Sequence, residues 1–415
     1  MTKRVIQVFE HDKLTINEDE WGRSLSPSQL EALCQFNDKN YNKYFTVIRN
    51  GIKFSSYVGV IQIGRLVIEI LPKADRKPIT LSNLASETAQ WRNVLLKMLS
   101  KCGYLKVETV SESKLKKRYN SLLDLYFEIY LNEVENLLHQ GLIKKYRKVS
   151  GNVRSLKGQL LFAQNIQKNF IHKEQFFTKH QVYDYQHLIN QILLKGLSIL
   201  KIISYNSSLT DRINRILLQF PSMREIPITE KSFSQVVLNR KSLKYMDALS
   251  IAKMIILNYS PDIIKGTENM LALLFDMKDL WEKYIFKTLK KNENEEFEVV
   301  YQQTQKFWHN RHIKPDIIVH KNHTPFIIDT KWKIIQTDNP SDNDLKQMYV
   351  YNLYWDAPKS LLLYPGVDNG NINPFRPFHK GREGENACKT GFVNVLDENN
   401  RLNKNIATEI ISMLE

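Results

Sequence analysis

The sequence predicts a multidomain α+β chain with a small β-rich N-terminal domain over residues 1–75, a mostly helical middle region over 76–258 and an α/β C-terminal domain over 259–415. Three observations predict it. Short β-branched runs separated by Gly and Asn fill the first part, apolar residues recur at helical spacing through the middle, and a helix, a pair of β-branched runs and a second helix follow in the last part. A length of 415 residues suits two or three domains.

Residues 3–16 alternate apolar and polar as a first strand. Ser26 and Pro27 form an N-cap and first-turn pair that opens a short helix. Strands are expected over 44–49, 52–57 and 58–63, with Asn50-Gly51 and Gly59 as breaks, and Gly64 turns the chain into a last strand over 66–73. In the middle, helices are predicted over Thr88–Cys102, Leu122–Leu138 and His187–Ser204. The basic runs 114–118 (KLKKR) and 144–148 (KKYRK) read as solvated faces, with a phosphate track as the alternative. Residues 151–158 (GNVRSLKG) read as a turn into a strand or helix.

In the last part a helix over Leu271–Leu289 carries Leu274, Met277, Trp281, Ile285 and Leu289 on one stripe, with Glu282 at its border. Residues 314–319 (KPDIIV) and 326–333 (FIIDTKWK) then bracket a six-residue loop, 320–325, as a hairpin. If Val319 pairs with Phe326, Asp316 lies opposite Asp329, and directly opposed residues have Cβ atoms roughly 5 Å apart on one face. Lys331, two residues on, shares that face. Two carboxylates at that spacing repel each other. A hard divalent cation such as Mg²⁺ relieves the repulsion, because it takes one or two carboxylates plus water and phosphate oxygens. It also activates water against a phosphodiester. An exposed amphipathic hairpin is the alternative, but Ile327 and Ile328 mark a buried strand in which an unpaired carboxylate is costly.

Pro315-Asp316 followed by Asp329-x-Lys331 is the pattern of PD-(D/E)xK nucleases, so the C-terminal domain is expected to be restriction-endonuclease-like. Asp316, Asp329 and Lys331 are the candidate catalytic residues, and Glu282 is the candidate third acidic group. Its alternative is a solvated helix-border glutamate, and Asp276 and Asp279 are weaker candidates. Asp316, Asp329 and Glu282 are the candidate Mg²⁺ ligands. A second helix opens with Ser341 at its cap and places Gln347 and Tyr351 on one face. These two, with Lys314 and Lys333, are candidate DNA contacts, core packing being the alternative for Tyr351. His309, His312, His320 and His323 fit no familiar metal spacing.

Residues 57–73 (YVGVIQIGRLVIEILPK) resemble the N-terminal signature of the McrC family, and 156–160 (LKGQL), 183–197 (YDYQHLINQILLKGL) and 277–282 (MKDLWE) are similar to later blocks in the same order. Gln159 departs from the arginine expected after the glycine. The resemblance implies the nuclease subunit of a McrBC-type, modified-cytosine-directed restriction system. Its partners would be DNA, expected to be methylated, and a McrB-type AAA+ GTPase ring that binds the GTP and is stimulated by this chain, giving a higher-order complex. The alternative is a non-catalytic activator of such a partner, and RNA as substrate stays open.

Composition suits this reading. Lys and Arg number 59 against 44 Asp and Glu, a net charge of +15 that favours a polyanion. Three widely spaced cysteines point to a reducing cytoplasm and away from a structural zinc site. No signal peptide, long apolar span or G-x-x-x-x-G-K-[ST] loop occurs, so a cytoplasmic chain without membrane contact and without its own NTP site is expected.

Overall fold

A computed structural model describes residues 4–75, 78–105, 121–261, 269–335, 339–366, 374–379 and 386–414. The chain is a mixed α/β protein whose described residues fall into two compact units, one within 4–105 and 274–414 and one within 121–261 and 269–273. Strand Arg4–Phe9 and helix Ile406–Met413 thus share one unit.

In that unit, strand Arg4–Phe9 runs parallel to Leu66–Leu71, which pairs antiparallel with Tyr57–Ile63. The single first strand expected over 3–16 is instead two, Arg4–Phe9 and Lys13–Thr15. The chain turns between them at His11, whose φ is 68°. Lys13–Thr15, Gly51–Phe54 and Phe45–Ile48 form a separate three-stranded sheet. Gly51 is required there, since a Cβ would lie 2.4 Å from the Leu14 carbonyl oxygen. The helix Pro27–Lys39 begins as expected, with Ser26 and Gln29 closing a capping box.

The second unit holds helices Leu122–His139, Leu188–Ile203, Ser207–Gln219 and Met246–Leu257. It is less uniformly helical than expected. Lys145–Val153, Gln159–Leu160 and Phe176–Asp184 form an antiparallel sheet, so the basic run at 144–148 lies largely on a strand. Apart from Phe177 and Thr178 the sheet's residues are exposed or half-buried, and few of them are strongly apolar, which leaves little apolar periodicity to read. The run at 114–118 lies outside the described residues.

The six-stranded sheet of the first unit has the order Phe297–Tyr301, Ile317–Lys321, Thr324–Thr330, Lys359–Pro365, Ala387–Val393, Arg376–Pro377. Its first three strands are antiparallel, and Thr324–Thr330, Lys359–Pro365 and Ala387–Val393 are mutually parallel. A parallel neighbour needs a crossover, and helix Asp342–Tyr354 supplies it. Met348, Tyr351 and Trp355 of that helix pack on Ile318, Ile327, Leu362 and Tyr364. Ile317 and Ile328, on the opposite side of the pleat, are also fully buried. The central strands are therefore covered on both faces, as their continuous apolar runs require.

The helix expected from Leu271 starts later. Met270–Asp276 is a strand and the helix is Met277–Lys290. The unbroken apolar run over 270–275 suits either element. The Asp276 side chain decides it by accepting from Lys278 N at 2.9 Å, which caps the helix there. No helix among the described residues is long and apolar enough to cross a membrane.

Candidate active site

The hairpin register is the one that Val319 and Phe326 imply. Val319 pairs with Phe326 and Ile317 with Ile328, where the ladder ends, and Asp316, just before it, meets the neighbouring strand through its side chain at Thr330. The connection is shorter than six residues. The strands extend to Lys321 and Thr324, leaving Asn322 and His323 with φ of 49° and 64°. Two residues in that region make the primed two-residue turn that suits the strand twist. Neither is glycine, and this hid the turn. Six and two are both even, so the facing of the carboxylates survives.

Asp329 is 1% exposed and ends the central strand run. Its Oδ2 meets Lys331 Nζ at 2.6 Å, and its Oδ1 accepts from Gln347 Nε2 at 3.2 Å. Asp316 is held by two bonds to one oxygen, its Oδ2 accepting from Thr330 N at 2.7 Å and from Thr330 Oγ1 at 3.0 Å. Burial and then repulsion from Asp316 push the Asp329 carboxyl well above the usual carboxylate range, against the pull of Lys331. Burial likewise raises Asp316 against its Thr330 bonds and Lys331. For Lys331, burial opposes the charge, but Asp329, Asp344 and Asp316 outweigh it and hold its pKa above the ordinary value. Lys331 is therefore an ammonium.

Gln347 orders this cluster. Its Oε1 accepts from Lys331 at 3.2 Å, and its Nε2 donates to Asp329 and, at 2.8 Å, to the Tyr351 hydroxyl. Tyr351 in turn donates to the Lys314 carbonyl at 2.8 Å, two residues before Asp316. The buried Tyr351 thus packs in the core while its hydroxyl carries the chain of bonds from Lys331 to the backbone two residues before Asp316. Lys314 is exposed. Lys333 is half-exposed and meets Asp344 Oδ2 at 2.7 Å.

Asp344 was not singled out by sequence reasoning, yet its Oδ1 lies 3.4 Å from Lys331. The available signal was its spacing of three from Gln347, one helical face. Gln302 was also missed. With φ of 48° it donates through Nε2 to Glu282 Oε1 at 2.5 Å and through its backbone N to the Asp316 carbonyl at 3.1 Å.

Glu282 is 9% exposed, not a solvated border residue. Burial, followed by repulsion from Asp316, raises its pKa to about 7. It senses the pair, but among the described residues no three His, Cys, Asp or Glu side chains come together as a metal site. Asp276 serves as the helix cap, and burial followed by Asp276 raises Asp279. The Asp316–Asp329 pair is a set of donors a cation could use. Its donors are all oxygen and its carboxylates are held against their preference for the neutral form, which suits a hard divalent ion.

Residues 52–365 match the family model described as "McrBC 5-methylcytosine restriction system component". The chain belongs to that family. The match agrees with the resemblance of the sequence blocks to McrC. A chain of the refined half-complex from the tetradecameric assembly of Thermococcus gammatolerans McrB AAA+ hexamers with bound McrC is similar over 99% of both chains, at 19% identity and a TM-score of 0.70. A chain of the Thermococcus gammatolerans McrBC complex is similar over 69% of this chain and 88% of its own, at 19% identity and a TM-score of 0.53. This McrBC-family chain thus shares their fold. No curated protein matches it.

Proposed function

We propose that the chain is the McrC-type nuclease subunit of a GTP-dependent restriction complex, a Mg²⁺-dependent DNA endonuclease acting with a McrB-type AAA+ GTPase. The observation that carries this reading is the buried Asp329–Lys331 ion pair beside Asp316, whose carboxylate accepts from Thr330 between them. A mixed central sheet with helices Met277–Lys290 and Asp342–Tyr354 beside it suits the PD-(D/E)xK fold.

Asp316 and Asp329 would hold the cation, the two Thr330 bonds on Asp316 Oδ2 leaving Oδ1 free for it. Bound there, Mg²⁺ supplies polarisation of the phosphodiester and a more acidic water. Lys331 is the side-chain cation in contact with Asp329. It orients the attacking water and offsets the charge that develops on the phosphate oxygens. Gln347 holds Lys331 and Asp329 in place through opposite ends of one amide, and Asp344 gives the ammonium a second partner. Lys333 and Lys314, at the margin of the site, and the net charge of +15 suit the DNA backbone. GTP is bound by the partner, and modified cytosine is the target the family description suggests.

The test is cleavage of methylated and unmethylated plasmid with Mg²⁺, GTP and the AAA+ partner. Cleavage that needs the partner, GTP and Asp329, and that Asp329→Asn lowers by at least about a hundredfold, supports the reading. Stimulated GTP hydrolysis without cleavage refutes it in favour of a non-catalytic activator.

A further inference from the structure

Between Lys331 and Lys333 stands Trp332, whose side chain packs away from the site. The strand ends at Thr330 and Lys333 N turns back to the Lys331 carbonyl at 3.0 Å, yet both lysines reach Asp344, at 3.4 and 2.7 Å, while the indole packs elsewhere. Trp332 is 7% exposed and its ring centroid lies 5.2 Å from that of Trp281. Its Nε1 donates at 2.7 Å to Glu10 Oε1, a residue 322 positions earlier in the chain. The same Oε1 accepts from Lys73 N at 3.0 Å, where strand Leu66–Leu71 has just ended. Glu10 is 7% exposed, and its other oxygen is buried without a hydrogen bond, with His11 Nε2 3.9 Å away.

A buried carboxyl with one unserved oxygen is an unfavourable arrangement unless it is neutral. Burial does raise the Glu10 pKa to about 7, against the bonds from Trp332 and Lys73 and with a further push from Asp276. Core packing of Trp332 alone would need only an acceptor for the indole, which a backbone carbonyl could supply. Here one side chain gathers the ends of two N-terminal strands and the one residue flanked by both lysines of the site.

We propose that Glu10 is a positioning residue for the nuclease centre, holding Trp332 and through it the place of Lys331 against Asp329. The proposal rests on the nuclease reading for its consequence in cleavage. It makes the N-terminal strands part of the machinery that sets the catalytic strand.

The experiment compares Glu10→Ala, Glu10→Gln and Trp332→Phe in the full chain, with two readouts. The first is amide hydrogen exchange of residues 326–335 without partner or DNA. The second is the split between turnover and DNA affinity for plasmid cleavage in the reconstituted complex. Glu10→Gln keeps the acceptor and is expected to behave as the unsubstituted chain in both. Glu10→Ala is expected to exchange faster across 329–333 and to lose about tenfold or more in turnover at unchanged DNA affinity, since small misplacement of a catalytic group is costly. Trp332→Phe keeps the ring, so it folds with less disturbance, and shifts both readouts in the same direction. Unchanged exchange in Glu10→Ala and Trp332→Phe overturns the proposal. So does faster exchange with unchanged turnover. If the unsubstituted chain does not cleave, the nuclease reading fails, and the exchange comparison still decides whether Glu10 holds this strand.

Discussion

Replacing Lys331 by Met should destabilise the protein in a way that depends on pH and on Mg²⁺. Methionine keeps the apolar stem and removes the charge. In contact at 2.6 Å, the Lys331 and Asp329 charges attract by about 6 kcal/mol at an effective dielectric near 20. Desolvating an ammonium whose side chain is 21% exposed offsets roughly half of that. The expected loss is therefore about 3 kcal/mol at about pH 8, where Asp329 is left charged beside Asp316.

The sign with pH follows from Asp329, whose carboxyl is already raised in the folded state and rises further once the lysine is gone. A carboxyl raised on folding adds no penalty below the ordinary carboxylate range. Its destabilisation builds as pH climbs towards the folded value and is complete above it. At about pH 4 the variant should therefore come close to the unsubstituted chain. Millimolar Mg²⁺ at about pH 8 should recover much of the loss, because a cation bound by the pair replaces the missing charge. Urea unfolding at both pH values, with EDTA or Mg²⁺, measures all of this. A loss that is equal at both pH values would show that Lys331 acts through its stem, and an absent Mg²⁺ effect would break the argument that Asp316 and Asp329 form the cation site.

Other substitutions test separate steps. Glu282→Gln should lower cleavage by about tenfold or less, well short of Asp329→Asn, because Glu282 acts on the pair across space and Gln302 remains to bond the amide. An equal loss in plasmid cleavage would make Glu282 a ligand. Gly196→Ala should destabilise by about 2 kcal/mol in urea melts, since a Cβ would meet the Tyr130 hydroxyl at 2.4 Å, and that hydroxyl donates to the Leu193 carbonyl. No change would mean that the two helices part at little cost.

Much of the site was legible because hairpin pairing is local. Once Val319 and Phe326 pair, the period-2 alternation of a strand assigns Asp316, Asp329 and Lys331 to one face whatever the rest of the chain does, and an error of four residues in the loop length keeps that parity. The i,i+4 spacing of Gln347 and Tyr351 and the Ser26 and Ser341 caps were legible for the same reason. Where two elements compete for one apolar run, local pattern fails. Residues 270–275 suit a strand or a helix, and in strands Lys145–Val153 and Phe176–Asp184, apart from Phe177 and Thr178, burial alternates only between exposed and half-buried, too shallow a contrast to select apolar residues.

The sequence by itself determined the identity and facing of the acidic pair and its lysine, because those follow from chain-local geometry. Only the tertiary structure decided that Asp344 shares Lys331, that Gln302 reaches both Glu282 and Asp316, that Glu282 is buried yet outside a three-carboxylate cluster, and that Glu10 meets Trp332. These contacts join segments far apart in sequence. The strength of a carboxylate depends on how much water is removed and which charges are brought near, and both are settled by packing across the whole unit.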